Sequence, residues 1–133
     1  MTAPEQVHVG TDLLSINRME RILRGPAGKE MVRRTFTPDE IAESETRGHP
    51  MSYFAGRFAA KEAVFKSLGV DWTQADDPRD IEIGQTKEGA PVVRLSGHLR
   101  EMADAANFTG LSVSLSYDDN WVIAVAVATR GTP

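Results

Sequence analysis

The chain has 133 residues, of which 41% are hydrophobic and 26% are charged, and its formal net charge is −4. This length and composition are typical of one globular domain, which we predict to span residues 1–133. Cysteine is absent, which excludes disulfide scaffolds, thiolate metal sites and a cysteine nucleophile. The acidic balance argues against a nucleic acid as the partner.

No membrane or targeting segment is predicted. The longest uncharged apolar run extends from Trp121 to Thr129, far short of the roughly 20 residues that cross a bilayer as a helix. The first residues, Met1 to Gln6, lack the charged and apolar regions of a secretory signal. We therefore expect no membrane partner, a flexible N-terminus over residues 1–6 and a cytoplasmic location.

The first predicted element is a half-buried strand from Val7 to Leu13. Residues in a strand alternate between its two sides, so Asp12 lies on the same side as His8 and Gly10. The other side consists of Val7, Val9, Thr11 and Leu13.

Helices follow this strand. Ser15 is a suitable N-cap for a helix from Ile16 to about Leu23, which a Gly-Pro pair ends. Thr37-Pro38-Asp39-Glu40 has the cap, the proline and the early acids that begin a second helix. The longest helix runs from about Ser52 to Leu68 and is closed by Gly69 at its C′ position.

The second half of the chain predicts strands and one further helix, from Ser96 to Asn107. The predicted strands are Asp80 to Gln85, Val92 to Leu95, Leu111 to Tyr117 and Trp121 to Thr129, and the last two are joined by Asp118-Asp119-Asn120. This final hairpin is apolar on both faces between Val122 and Val127, so both faces must be covered, and another subunit could cover one of them. The elements together predict an α+β fold with a largely antiparallel sheet packed on the long helix.

The long helix carries two different arcs. Lys61 falls within the apolar arc, where its ammonium must either reach the edge or meet a buried anion. The adjoining arc places Glu62 and Lys66 beside small residues, which leaves room for a ligand; the alternative is an ordinary solvated Glu-Lys pair worth about 0.3 to 0.5 kcal/mol. The apolar arc consists of Phe54, Phe58, Phe65 and Leu68, and the small residues are Ala55 and Ala59.

Asp12, Glu62 and the neighbouring Lys66 are side chains that suit a Mg²⁺ ion held by two carboxylates and a substrate phosphate. Mg²⁺ prefers oxygen ligands, and lysine neutralises phosphate. Because 50 residues separate Asp12 from Glu62, their spacing alone does not define a site.

A basic cluster lies between Arg18 and Arg34, where six basic residues stand against two acidic ones, a local balance of +4. Such a cluster is either a docking surface for an acidic partner or a solvated helix face. Its basic members are Arg18, Arg21, Arg24, Lys29, Arg33 and Arg34.

Three motifs follow one another along the chain: His8 to Leu13 (HVGTDL), Phe54 to Gly69 (FAGRFAAKEAVFKSLG) and Val113 to Asp118 (VSLSYD). Their order and spacing resemble the signatures of the small phosphopantetheinyl transferases of the holo-acyl-carrier-protein synthase type. The segment from Glu88 to Gly97 is similar to the family's intervening region, so the resemblance covers nearly the whole chain.

The resemblance implies transfer of 4′-phosphopantetheine from coenzyme A to a serine of an apo acyl or peptidyl carrier protein. It implies Mg²⁺ as the cofactor and adenosine 3′,5′-bisphosphate as the second product. It also implies a homotrimer whose sites lie between subunits, in agreement with the two apolar faces of the final hairpin. The group that accepts the serine proton stays open between Glu62 and a metal-bound water.

Carried over residue by residue, the resemblance makes Asp12 and Glu62 the metal carboxylates. Lys66 would hold the diphosphate and assist the reacting oxygen, while Arg18 and Arg21 would receive an acidic helix of the carrier protein. The other residues implied to line the coenzyme site are Arg57, Lys61, Ala90, Pro91, Ser116 and Tyr117.

Two positions depart from the family's usual pattern. Tyr117 stands where the family usually has histidine, and Ala90 stands where it usually has a basic residue; in the family both positions face the nucleotide phosphates. Two other functions stay open: a non-catalytic module that binds carrier proteins, and a trimeric structural protein in which the charged residues are ordinary surface pairs.

Overall fold

The computed structural model describes residues 5–71 and 76–131. No helix in these two ranges is long and apolar enough to cross a membrane. The elements, in chain order, are β1 (Gln6–Ser15), α1 (Ile16–Arg24), α2 (Gly28–Thr35), α3 (Pro38–Ser44), α4 (Pro50–Ser67), a short 3₁₀ helix (Pro78–Asp80), β2 (Ile81–Gln85), β3 (Pro91–Leu95), α5 (Gly97–Ala105), β4 (Phe108–Asp118) and β5 (Trp121–Arg130).

The described strands form two antiparallel sheets. One has three strands in the order β1-β5-β4, and the other is the β2-β3 hairpin. The predicted α+β class and antiparallel pairing are therefore confirmed, with the difference that the strands divide between two sheets. β5 lies in the centre of the larger sheet, so β1 and β4 are its edges.

Helix α4 packs across one face of the larger sheet. Four residues of β5 are fully buried beneath it: Val122, Ala124, Ala126 and Ala128. On β1 a Cβ at Gly10 would overlap the backbone carbonyl oxygen of Ala63, so only glycine permits this close approach. Gly69 closes the helix as predicted, with a φ of 73°, and the Val70 N–H donates to the Phe65 carbonyl at 2.9 Å.

The opposite face of this sheet is apolar and open in the single chain. The side chains of Val7, Val9 and Leu13 are 63%, 59% and 62% exposed. Ile123, in the central strand opposite Leu13, is also exposed. The prediction that residues 122–127 are apolar on both faces is confirmed for β5, whereas β4 presents the exposed Ser112, Ser114 and Ser116 on the open side. The apolar part of this face requires a cover.

Helix α2 was absent from the sequence-based prediction. It has only eight residues, and its two apolar side chains, Met31 and Val32, are too few to establish a helical period in the sequence. Glu30 accepts hydrogen bonds from Arg33 and Arg34 on the exposed side of the helix. Within the basic cluster this carboxylate therefore offsets part of the charge.

The predicted flexible N-terminus is wrong at its last residue, because Gln6 belongs to β1 and pairs with Arg130. The backbone ladder with β5 fixes this position. Met1 to Pro4 lie outside the described residues, and the single domain over residues 1–133 stays a prediction.

Candidate active site

Asp12, Glu62 and Lys66, far apart in sequence, lie together between β1 and α4. The ammonium of Lys66 lies 3.6 Å from Oδ1 of Asp12 and donates a hydrogen bond to the Thr11 carbonyl at 2.9 Å. Glu62 lies one turn before Lys66 in α4, close enough to Asp12 for the two carboxylates to repel each other. The close packing at Gly10, two residues before Asp12, sets this strand against the helix.

The pKa values of Asp12 and Glu62 are both raised above their ordinary values. Partial burial raises the pKa of Asp12, although the positive charge of Lys66 opposes the shift. Partial burial also raises the pKa of Glu62, and the neighbouring Asp12 charge adds to that effect. Two half-buried, mutually repelling carboxylates hold negative charge that a cation would stabilise.

This donor set fits Mg²⁺, which binds proteins through one or two carboxylates and takes its other oxygens from phosphate and water. Within the described residues, no group of three or more His, Cys, Asp or Glu side chains converges as a metal site. Asp12 and Glu62 alone would therefore leave most of the coordination sphere to substrate and water.

A second group of predicted site residues lies at the other edge of the sheet. Tyr117, near the end of β4, packs over Gly56 so closely that a Cβ at residue 56 would overlap the phenol oxygen. Burial raises the pKa of the Tyr117 phenol, while the positive charge of Arg57 opposes that shift. Arg57 is buried beside Tyr53, its guanidinium carbon 4.5 Å from the ring centroid, and its Nε has no hydrogen-bond partner among the described residues.

A groove of about 350 Å³ opens beside Tyr117. Arg47, which the sequence interpretation did not single out, lies at this groove and over the Tyr53 ring. Its guanidinium pairs with Glu43 at 3.0 Å and donates to the Gln85 side chain at 2.6 Å. Nothing in the local sequence marks Arg47, because it follows a short helix and meets Gln85 only through tertiary packing.

Ala90 and Pro91 lie at the tip and at the start of the second strand of the β2-β3 hairpin. The turn is held by hydrogen bonds between Thr86 and Ala90 and by Gly89 at a φ of 89°. Ala90 is exposed and Pro91 is half-buried. The described contacts place this hairpin on the β4 side of the molecule.

Ser116 and Tyr117 point to opposite faces of the sheet. Ser116 is exposed and pairs with Ile123 on the open apolar face, whereas Tyr117 reaches toward α4. A single chain therefore does not bring Ser116 to the Tyr117 groove.

The predicted residues thus form two groups rather than one site. Asp12 pairs with Ala124 from the β1 side of the central strand, and Tyr117 pairs with Val122 from the β4 side. Because β1 and β4 are opposite edges of the sheet, β5 and the overlying α4 separate the carboxylates from the Tyr117 group.

The structure does not support the expectation that Lys61 lines the coenzyme site. Its side chain is fully buried, and its ammonium pairs with Glu40 at 2.8 Å. The sequence left two possibilities for this ammonium, and the structure shows the second of them: the ammonium meets a buried anion. In this structure Lys61 cannot touch a ligand at the surface.

Arg18 and Arg21 are exposed on α1, which follows directly from β1 and lies on the Asp12 side of the sheet. Ile22, beside them on the helix, is 42% exposed. Arg24 is paired with Glu20 at 2.9 Å, so its charge is compensated locally.

Comparison with known proteins assigns the family. The sequence model of the 4′-phosphopantetheinyl transferase superfamily matches residues 8–126. Holo-[acyl-carrier-protein] synthase of Leptospira biflexa is 35% identical over 119 residues, which are 90% of this chain and 93% of that protein. Fatty acid synthase subunit alpha of Saccharomyces cerevisiae is 43% identical over 100 residues, which are 74% of this chain but 5% of that protein.

Solved structures agree. The crystal structure of holo-[acyl-carrier-protein] synthase from Neisseria meningitidis matches with a TM-score of 0.84 and 33% identity, covering 91% of this chain and 96% of that chain. The Helicobacter pylori synthase in complex with coenzyme A matches with a TM-score of 0.78 and 33% identity, covering 90% of this chain and 98% of that one. The chain belongs to the 4′-phosphopantetheinyl transferase superfamily, and its relatives include synthases of the holo-acyl-carrier-protein type.

Proposed function

We propose that this protein transfers 4′-phosphopantetheine from coenzyme A to a serine of an apo carrier protein. The serine oxygen forms a bond to the phosphorus that bears the pantetheine, the bond from that phosphorus to the bridging oxygen of the diphosphate breaks, and the serine proton is released. Adenosine 3′,5′-bisphosphate leaves with the second phosphate. The convergence of Asp12, Glu62 and Lys66 carries this proposal.

Each of these residues has a role that its surroundings support. Asp12 and Glu62 would hold Mg²⁺, which supplies positive charge to the diphosphate. Lys66 is half-exposed and reaches the same place, so its ammonium can neutralise a phosphate oxygen. Positioning and charge neutralisation supply most of the acceleration in reactions of this type.

We further propose that the complete site forms between two copies of the chain within a homotrimer. The Asp12 group and the Tyr117 group lie at opposite edges of one sheet, with β5 between them, so each copy would offer one group to each of two neighbours. The open apolar face around Val9 and Leu13 supplies a surface on which copies can pack. Burial of that face would also bring Ser116 into an interface.

The carrier protein would dock on α1 beside the carboxylates. Arg18 and Arg21 are exposed there, and no ion pair to either is found within the described residues. The apolar side chain of Ile22 lies among them. Such a surface suits an acidic helix with an apolar centre. We also propose that the protein acts in the cytoplasm.

Mass spectrometry of an apo carrier protein tests the proposed function. A panel of apo acyl and peptidyl carrier proteins is incubated with this protein, coenzyme A and Mg²⁺. We expect at least one carrier to gain the mass of one phosphopantetheine group on its serine, and the same carrier with that serine replaced by alanine to gain none. Binding of carriers without any mass gain would instead indicate a non-catalytic binding module.

A further inference from the structure

The ion pair between Lys61 and Glu40 is among the most deeply buried polar contacts of the fold. The two side chains are 0% and 1% exposed, and Nζ lies 2.8 Å from Oε1 of Glu40. The ammonium also donates to the carbonyl of Pro78 at 3.0 Å and to that of Ile81. All three ammonium hydrogens therefore have an acceptor, which a buried charge requires.

Glu40 connects this pair to β2. Its Oε2 accepts a hydrogen bond from the Ile83 backbone at 2.9 Å, while Oε1, besides pairing with Lys61, accepts one from the Thr37 backbone at the start of α3. Two further contacts flank it along the same strand. The contacts that join α3 to β2 are Thr37 to Glu82 at 2.7 Å, Glu40 to Ile83 at 2.9 Å and Glu43 to Gln85 at 3.4 Å.

Helix α3 and the β2-β3 hairpin are thus held as one unit, and Lys61 attaches that unit to α4. Arg57 lies one turn before Lys61 on α4 and lines a cavity of about 240 Å³ together with Glu40 and Gln85. The hairpin carries Ala90 and Pro91. The Lys61–Glu40 contact therefore acts, beside the apolar packing of β2 on α4, to hold the hairpin in place relative to Arg57.

We infer that the Lys61–Glu40 pair is a positioning device for the coenzyme side of the site. This inference rests on the proposed function. Neither side chain touches the coenzyme; the pair acts by fixing the distance between α4 and the hairpin. A displacement of about 1 Å in such an arrangement can change rates about a hundredfold, so a rigid, fully satisfied contact suits the role.

The same geometry predicts that loss of the pair affects the binding of one substrate and not of the other. Arg18 and Arg21 are exposed on α1, which packs on α4 and takes no part in the contacts that join α3 to β2. Loss of the pair should therefore weaken coenzyme A binding and leave carrier binding unchanged. A pair that only stabilises the fold would have no such preference.

Two variants separate positioning from stability. Lys61→Met keeps the unbranched stem but leaves the Glu40 carboxylate buried without its partner. The double variant Glu40→Gln/Lys61→Met removes both charges, and the amide oxygen can still accept from Ile83. The matched control is Arg100→Met, which removes a cation from an exposed pair with Asp104.

The experiment measures the Kd for coenzyme A by calorimetry, the KM for the carrier protein and the Tm of each variant as the assembled protein. We expect the double variant to regain a Tm near that of the wild type, to bind coenzyme A about tenfold more weakly and to keep its carrier KM. Arg100→Met should change none of the three.

A double variant that binds coenzyme A with the wild-type Kd would overturn the inference. So would a double variant in which the Kd for coenzyme A and the KM for the carrier protein rise by the same factor. If Lys61→Met fails to fold, the double variant still decides the question. A wild-type protein that does not bind coenzyme A at all would contradict the proposed function itself, and this separates the two failures.

Discussion

The Lys66 ammonium and the Asp12 carboxylate face each other at 3.6 Å across the boundary between α4 and β1. This contact joins two of the three sequence motifs at one point. Glu62 lies one turn before Lys66 on the same helix, so the cluster contains two carboxylates and one ammonium. The net negative charge of the cluster is what a divalent cation would offset.

Asp12→Asn and Glu62→Gln should each lower the kcat of transfer by about a hundredfold or more, because each removes one of the two carboxylates available to the cation. Both variants should stay folded and assembled. Transfer is measured by the mass assay across a range of Mg²⁺ concentrations, with Asp104→Asn on the exposed side of α5 as the control. Near-normal turnover of either variant at low Mg²⁺ would contradict the role of that residue.

The same two variants should be at least as stable as the wild type at pH 7 without metal. A carboxyl whose pKa is raised on folding stabilises the fold while it is protonated and opposes it once it is ionised. The stabilisation is complete below the ordinary pKa values of 3.8 for Asp12 and 4.5 for Glu62, and it is lost as the pH rises through their raised values. The Tm advantage of the amides should therefore be present at pH 7 and shrink toward pH 4; an advantage that grows toward pH 4 would contradict this assignment.

The stability of the fold should depend strongly on Gly10 and only weakly on Gly56 when either glycine gains a methyl group. Gly10→Ala places its Cβ against the backbone of Ala63 and Ser67, which cannot move aside, so we expect destabilisation of about 3 kcal/mol. Gly56→Ala meets only the end of the Tyr117 side chain, and alanine favours a helix interior by up to about 1 kcal/mol, so stability should change little.

Chemical denaturation gives both free energies of unfolding. Gly56→Ala should nevertheless raise the KM for coenzyme A, because it displaces the Tyr117 hydroxyl from Arg57. An equal loss of stability in the two variants would contradict the difference between a rigid backbone neighbour at Gly10 and a side chain that can move aside at Gly56.

The antiparallel pairing, the long helix with its glycine cap and the two-faced apolar hairpin all follow from periodicity and turn residues, which are local signals. Helix α2 was missed because its eight residues include only two apolar side chains, which are too few to show a helical period. The position of Lys61 illustrates the other limit: the sequence shows that its ammonium needs a buried partner, but Glu40 lies 21 residues away and only packing brings the two together.

The candidate site, like the fold, was predictable from the sequence only in part. Asp12, Glu62 and Lys66 were predicted and do lie together. The separation of this group from Tyr117 follows from the strand order β1-β5-β4, which depends on pairing between distant segments. Arg47 is found only through its tertiary contacts with Gln85 and Tyr53.

Charge reversal at Arg18 or Arg21 should raise the KM for the carrier protein and flatten its dependence on salt, because charges at the rim of an interface act mainly on encounter. The KM for coenzyme A should not change. Arg34→Glu on α2 is the control with the same change in net charge, since Arg34 already pairs with Glu30. An altered KM for coenzyme A with a normal carrier KM would place the docking surface elsewhere.

The protein should discriminate poorly between coenzyme A and its 3′-dephospho form. Tyr117 offers a neutral hydroxyl and Ala90 offers no donor side chain, while charged hydrogen bonds contribute about 1.5 to 3 kcal/mol against about 0.5 to 1.5 for neutral ones. Of the two cations near Tyr117, Arg57 is buried and Arg47 is already paired with Glu43.

The measurement is kcat/KM for the two donors. Tyr117→His with Ala90→Lys should restore preference for coenzyme A, mainly through KM. Lys87, exposed on the hairpin turn, is the residue that could reach the same phosphate. A strong wild-type preference that Lys87→Ala does not diminish would contradict this prediction.

Subunit complementation tests most directly the claim that two copies of the chain build each active site. Asp12→Ala damages the carboxylate group beside β1, and Arg57→Ala damages the group around Tyr117, so each variant assembled alone should be inactive. Unfolded together and refolded as mixed trimers, they should regain part of the wild-type transfer activity, because some interfaces then join an intact Asp12 group to an intact Tyr117 group. Mixed trimers, verified by two affinity tags, that stay as inactive as the separate variants would contradict the shared site.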